Sequence, residues 1–189
     1  MEELNKMMAL GMFQFGEGQM TINGRRAAIM PIIVLVNLRE RIAKKHGQAA
    51  ADELMFEAGR FQTASGTPGY LKKLKVFEKV YSQVPQTGHP ALEMGREALK
   101  FAGWGDHKAE HVDPDGMGMV VRTFDSPIAE EYLKAIGRSG KPVCHYMCGV
   151  LAGVAQSVFN AEYEVEEISC KATGLSDECI FKLKKKVKK

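Results

Sequence analysis

Apolar positions along this chain change their spacing several times, and each change marks an element. Residues 12–15, 19–23 and 26–30 are short β-prone segments separated by turns at Gly16-Glu17-Gly18 and at Gly24, which predicts a β ribbon. Pro31 suits the first turn of a helix, where its missing N–H costs nothing. Leu35, Leu38 and Ile42 then recur at three- and four-residue spacing with charged residues between them, predicting a helix that Gly47 stops. A second helix is expected over 48–64, with Leu54, Ala58 and Phe61 on its inner face. Ser65-Gly66-Thr67-Pro68-Gly69 breaks the chain. A third helix over 70–83, a loop over 85–90 and a fourth helix over 91–102 follow.

The period then shortens. Residues 104–112 and 117–124 read as strands joined by Asp113-Pro114-Asp115-Gly116, a hairpin turn. Ser126-Pro127 opens a short helix to Ile136, and a longer helix over 143–159 is rich in small and apolar residues. Residues 163–170 and 178–187 read as a final pair of strands around Gly174-Leu175-Ser176-Asp177. This order predicts an α+β fold in which an antiparallel sheet packs against a group of helices. No strand–helix–strand series points to a doubly wound nucleotide fold.

A length of 189 residues suits one domain over 1–189. Hydrophobic content of 45% and charged content of 26% are ordinary for a globular protein. Much of the net charge of +3 lies in the basic tail 184–189, which reads as a solvated end, so no nucleic acid partner is predicted. The longest apolar run, 27–36, is too short for a membrane span and contains Pro31. The first ten residues lack the pattern of a secretory signal, so a cytoplasmic setting with reduced thiols is expected.

That setting makes the four cysteines informative. Cys144 and Cys148 lie one helical turn apart, while Cys170 closes one strand and Cys179 opens the next. A helix start packed over such a hairpin supplies soft ligands for zinc or a similar ion, which takes four donors in a tetrahedron. The alternative is that some of these cysteines are small buried residues and nothing more.

Four segments carry a family resemblance: Pro142-Val143-Cys144-His145-Tyr146, Gly149-Val150-Leu151-Ala152-Gly153, the run from Val165 to Gly174, and Asp177-Glu178-Cys179-Ile180-Phe181. Together they resemble the 4-vinyl-reductase domain family over about residues 11–183. Its members include stand-alone archaeal proteins and the sensory domains of aromatic-responsive transcription activators. The resemblance implies a fold similar to the Bet3-like vesicle-tethering subunits. It also implies a zinc site at Cys144, Glu167, Cys170 and Cys179. Cys148 is an alternative fourth ligand, giving four thiolates. In a regular strand Glu166, not Glu167, shares a face with Cys170. The Glu167 set therefore requires a bulge or a strand end near Cys170, and Glu166 is its alternative.

The family further implies a small, largely apolar ligand between helices and sheet, and a homodimer. Candidate pocket residues are Trp104, Phe101, His107, Phe124, Tyr132, His145 and Tyr146, with His107 and His111 expected on one strand face. No Gly-x-Gly-x-x-Gly between a strand and a helix, Gly-x-Ser-x-Gly elbow or His-Glu-x-x-His pair marks a catalytic centre, and no catalytic residue is assigned. The expectation is a ligand-binding or sensing domain with a structural metal. An assembly subunit, or a component of a tetrapyrrole vinyl reductase, stands as the alternative.

Overall fold

A computed structural model describes residues 13–16, 18–22, 25–64, 90–113 and 117–187. The chain break at 65–69, the helix expected over 70–83, the loop before Pro90 and the hairpin tip 114–116 lie outside the described residues. So do Glu17, the turn at Gly24 and the last two lysines.

Strands β1 (Phe13–Gly16), β2 (Gln19–Ile22) and β3 (Arg25–Ala27) form the expected ribbon, antiparallel in order β1-β2-β3. β3 ends sooner than its apolar run, leaving Ile29 and Met30 exposed. Helices α1 (Ile33–His46) and α2 (Gln48–Ala64) follow, separated only by Gly47 at φ 89°, a backbone conformation that favours glycine. Then come α3 (Pro90–Phe101), β4 (His107–Glu110), β5 (Gly118–Thr123), α4 (Pro127–Ala135), α5 (His145–Phe159), β6 (Tyr163–Ser169) and β7 (Cys179–Lys185). The four later strands form one antiparallel sheet in order β4-β5-β7-β6. The fold is α+β, as its element order predicts.

α5 is the centre of the core. Met147, Cys148, Val150, Leu151, Ala152 and Ala155 are all buried, so this helix is apolar on nearly every side. One side meets β6 and another meets α2, where the two backbones nearly touch. A Cβ built on Gly59 would lie 2.0 Å from the Tyr146 carbonyl oxygen, and one on Gly149 would lie 1.9 Å from that of Phe56. The Thr63 hydroxyl crosses the same seam to donate to the Val150 carbonyl at 3.1 Å.

This seam overturns two sequence expectations. On α2 the buried positions are Ala51, Met55 and Gly59, whereas Leu54, Ala58 and Phe61 face outward, Phe61 at 70% exposure. Close backbone approach chooses the face with small residues over the face with larger apolar ones. On α1, Leu35 and Val36 are buried, but Leu38 is exposed and Arg39 is buried in its place. Arg39 is held there by Glu40 at 2.6 Å and Asp52 at 3.0 Å, which compensates its burial.

Candidate metal centre

Three structural elements deliver four acidic side chains to one buried point. Cys144 occupies the N-cap of α5, Glu167 lies on β6, Cys170 follows the end of β6, and Cys179 opens β7. One ligand atom from each lies within 4.8 Å of every other, and all four residues are buried.

The strand parity problem is solved by a bulge. Glu167 pairs with Phe181 and Ser169 pairs with the adjacent Ile180, so Ile168 is an extra residue in β6. Ile168 turns out to solvent, and Glu167 and Cys170 come to the same inner face. Glu166 stays on the outer face, exposed, opposite Lys182. Cys148 is buried one turn into α5 but does not belong to the cluster.

Cys144 Sγ stands 4.0 Å from Cys170 Sγ and 3.8 Å from Cys179 Sγ. A tetrahedral ion with sulfur bonds of about 2.3 Å sets its sulfurs about 3.8 Å apart. Glu167 Oε2 accepts the Cys144 backbone N–H at 2.9 Å, which fixes the carboxylate, while its buried Oε1 has no hydrogen-bond partner. The Lys171 backbone N–H points at Cys179 Sγ at 3.4 Å, and the Ser126 hydroxyl lies 3.5 Å from Cys144 Sγ. Ser126 was expected to cap α4. It occupies the N-cap position, but makes no side-chain bond to the helix amides.

The charges of this cluster conflict. Hydrogen bonds from Cys144 and Cys179 hold the Cys170 thiol well below its usual range. The bonds that Cys144 donates to both other thiols, together with burial, hold it well above. Cys179 is pulled down by its bond from Cys144, but Cys170 and burial outweigh this and raise it. Burial, and then the charge on Cys170, lifts Glu167 to about 8. The protein alone thus tolerates one negative charge among four acids. A multivalent cation removes that conflict, and three thiols with a carboxylate are the donors that zinc accepts. The residues fit such an ion.

The candidate pocket residues are scattered. Trp104 stacks on Tyr146 at 5.3 Å between ring centres, and the Tyr146 hydroxyl donates to Gln62. Tyr132 is buried with the Arg39 guanidinium 5.9 Å above its ring. Phe124 is 55% exposed, and Phe101 is half-buried at the end of α3. His145 Nδ1 approaches Asp52 at 3.2 Å. His107 is buried on β4, but His111 lies beyond that strand at φ 50° and is exposed, so the two do not share a strand face.

A cavity of about 40 Å³ lies between α3, the sheet and α5, lined by Leu92, Leu99, Met119, Val121, Leu151 and Leu183 among others. Of the seven candidates only His107 lines it. Its Nδ1 bonds Thr123 Oγ1 at 2.6 Å. Thr123 was missed from sequence, although a threonine at a buried position of an alternating strand was a signal. Arg39 and Asp52, which tie α1 and α2 to the start of α5, were also missed. Their positions in amphipathic helices read as solvent-facing.

A search of curated proteins finds no match. Among solved structures, the phenol-responsive sensory domain of the transcription activator PoxR, with phenol, superposes at a TM-score of 0.77. It is 18% identical, and the match covers 97% of this chain and 89% of that one. A trafficking protein particle complex subunit 3 from Naegleria fowleri, covalently bound to palmitic acid, superposes at 0.54. It is 14% identical, with 82% of this chain and 93% of that one covered. A vinyl-4-reductase family protein from Methanocaldococcus jannaschii matches at 0.40 and 17% identity, over 67% of this chain and 92% of that one. Over residues 119–185, the stretch that supplies all four clustered ligands, the chain belongs to the vinyl-4-reductase domain family.

Proposed function

We propose that the protein is a small-molecule-binding or sensing domain, with an apolar ligand site held in shape by one structural zinc ion. The convergence of Cys144, Glu167, Cys170 and Cys179 carries this reading. Four protein ligands leave a tetrahedral ion no open position, so the site braces and does not catalyse. Cys144 would bind it from the helix, and the other three from the β6–β7 hairpin. Its binding energy becomes part of the folding energy of that wall. The ligand half of the proposal is supported by likeness to the PoxR sensory domain over nearly the whole chain, and by the cavity at His107.

Thiol ligands of this kind suit a reducing, cytoplasmic setting. Among the described residues, no helix is long and apolar enough to cross a membrane. The outward stripe of Leu54, Ala58 and Phe61 on α2 supports a homodimer through the helices. The same stripe favours a second reading, an assembly subunit like the trafficking-complex neighbour.

Native mass spectrometry of the gently purified full chain tests the proposal. One zinc per chain, lost in Cys170→Ser and kept in Cys148→Ser, is expected, with dimer mass that Phe61→Glu abolishes. Metal-free protein under reducing, chelator-free conditions would overturn the zinc site. A stable complex with another protein, and no small-molecule stabilisation, would favour assembly.

A further inference from the structure

The cavity beneath α3 has walls of one chemical kind and a polar atom with nothing to bind. Leu92, Leu99, Met119, Val121, Leu151 and Leu183 present only aliphatic and thioether surface. His107 is 3% exposed, and its Nε2 has no hydrogen-bond partner. A buried polar group left unpaired costs about 1–3 kcal/mol, so it marks a place where a partner gains.

The Thr123 contact fixes what that partner must be. If the Thr123 hydroxyl donates to His107 Nδ1, both groups are used and Nε2 carries the hydrogen. In the other tautomer, Nδ1–H donates to Thr123 and the hydroxyl proton has no acceptor. The first arrangement is the satisfied one, and it aims an N–H at the cavity. Burial pushes the His107 pKa down to about 4, against the pull of Asp125 and Asp106, so the ring is neutral at pH 7.

Charge and size narrow the class further. The rim residues Glu93 and Arg96 reach solvent and pair with each other at 3.5 Å, while Arg96 also holds Asp106 at 2.7 Å. No free charge therefore awaits an ionic ligand at the rim among the described residues. A cavity of about 40 Å³ takes about three water-sized groups, too few for a six-membered ring.

We infer that this cavity binds a short, uncharged aliphatic molecule through one oxygen acceptor, which takes the Nε2–H of His107. The inference rests on the ligand-binding reading above and names its ligand class. Small ketones, and alcohols accepting through oxygen, fit. Phenols and carboxylates do not.

Nuclear magnetic resonance on the zinc-loaded full chain tests this, with 2-butanone, butyrate, phenol and xenon as probes. The methyl signals of Leu92, Leu99, Val121, Leu151 and Leu183 are followed together with the His107 imidazole. 2-Butanone should shift these methyls saturably and move the Nε2–H signal downfield in the unaltered protein. In His107→Leu its affinity should fall at least tenfold, while xenon still shifts the methyls and so proves the cavity folded. Equal 2-butanone affinity in that variant, or no movement of the Nε2–H signal, overturns the role of His107. Phenol or butyrate shifting the methyls where 2-butanone does not overturns the ligand class but leaves the binding reading intact. If no probe moves any of these signals, both fall.

Discussion

Glu167 and Cys170 lie three residues apart on the same edge of β6, yet both face the buried cluster, because the bulge at Ile168 absorbs the odd residue. The bulge is therefore part of the ligand set. Glu167→Gln should lower zinc affinity by 10-fold or more, whereas Glu166→Gln should leave it unchanged, since Glu166 is on the outer face. Deleting Ile168 restores a regular strand and should place Glu166 opposite its old position. In that deletion, Glu166→Gln should become the damaging change. Competition with a zinc chelator reads all three, and loss of zinc in Glu166→Gln alone would refute the assignment.

The metal ligands were legible because their signal is local: a cysteine before a helix, and a carboxylate and two cysteines around one hairpin. Spacing alone left Glu166, Glu167 and Cys148 open, since strand parity argues against Glu167 and only the bulge resolves it. The inner face of α2 was illegible for a different reason. Leu54 and Phe61 outrank Gly59 on any hydrophobic scale, but burial there is decided by how closely α5 approaches, a property of the partner helix. The buried Arg39 was hidden likewise, because its partner Asp52 lies on the next helix. Pocket residues were the least legible, since aromatic content says little about which rings meet.

Metal removal should invert the pH dependence of stability. Glu167 has a folded pKa of about 8, above its usual 4.5, so the metal-free fold favours its protonated form. That contribution is complete below about pH 4.5 and is lost as pH rises through 8. Metal-free protein should thus weaken by a few kcal/mol between pH 5 and 9. Zinc-loaded protein should instead gain over the same range, because its ligands bind deprotonated. Urea unfolding at several pH values, with and without chelator, separates the two, and parallel curves would contradict the arrangement.

The α2–α5 seam should be intolerant of a single methyl group. Gly149→Ala places a Cβ against the Phe56 carbonyl and the Arg60 backbone N, neither of which can yield without moving α2. A loss of about 1–3 kcal/mol is expected in chemical denaturation. Ala58→Ser, on the outward face of the same helix, should change stability by less than about 0.5 kcal/mol in the monomer. Similar losses for both would mean that the helix is turned the other way.

His107 should set part of the acid limb of stability. Its folded pKa of about 4 lies below the ordinary 6.5, because burial disfavours the charged ring and nearby Asp125 and Asp106 only partly compensate. A base depressed in this way contributes stability above pH 6.5 that drains as pH falls toward 4. The full contribution is about 3 kcal/mol. In His107→Leu the unfolding free energy should fall less steeply between pH 6.5 and 4 than in the unaltered protein, whatever its value at pH 8. A bound acceptor on Nε2 should leave the neutral ring more favoured still, so saturating 2-butanone should steepen the acid limb of the unaltered protein and leave that of the variant unchanged. Direct titration of the imidazole by nuclear magnetic resonance checks the cause, and a His107 midpoint near 6.5 would remove it.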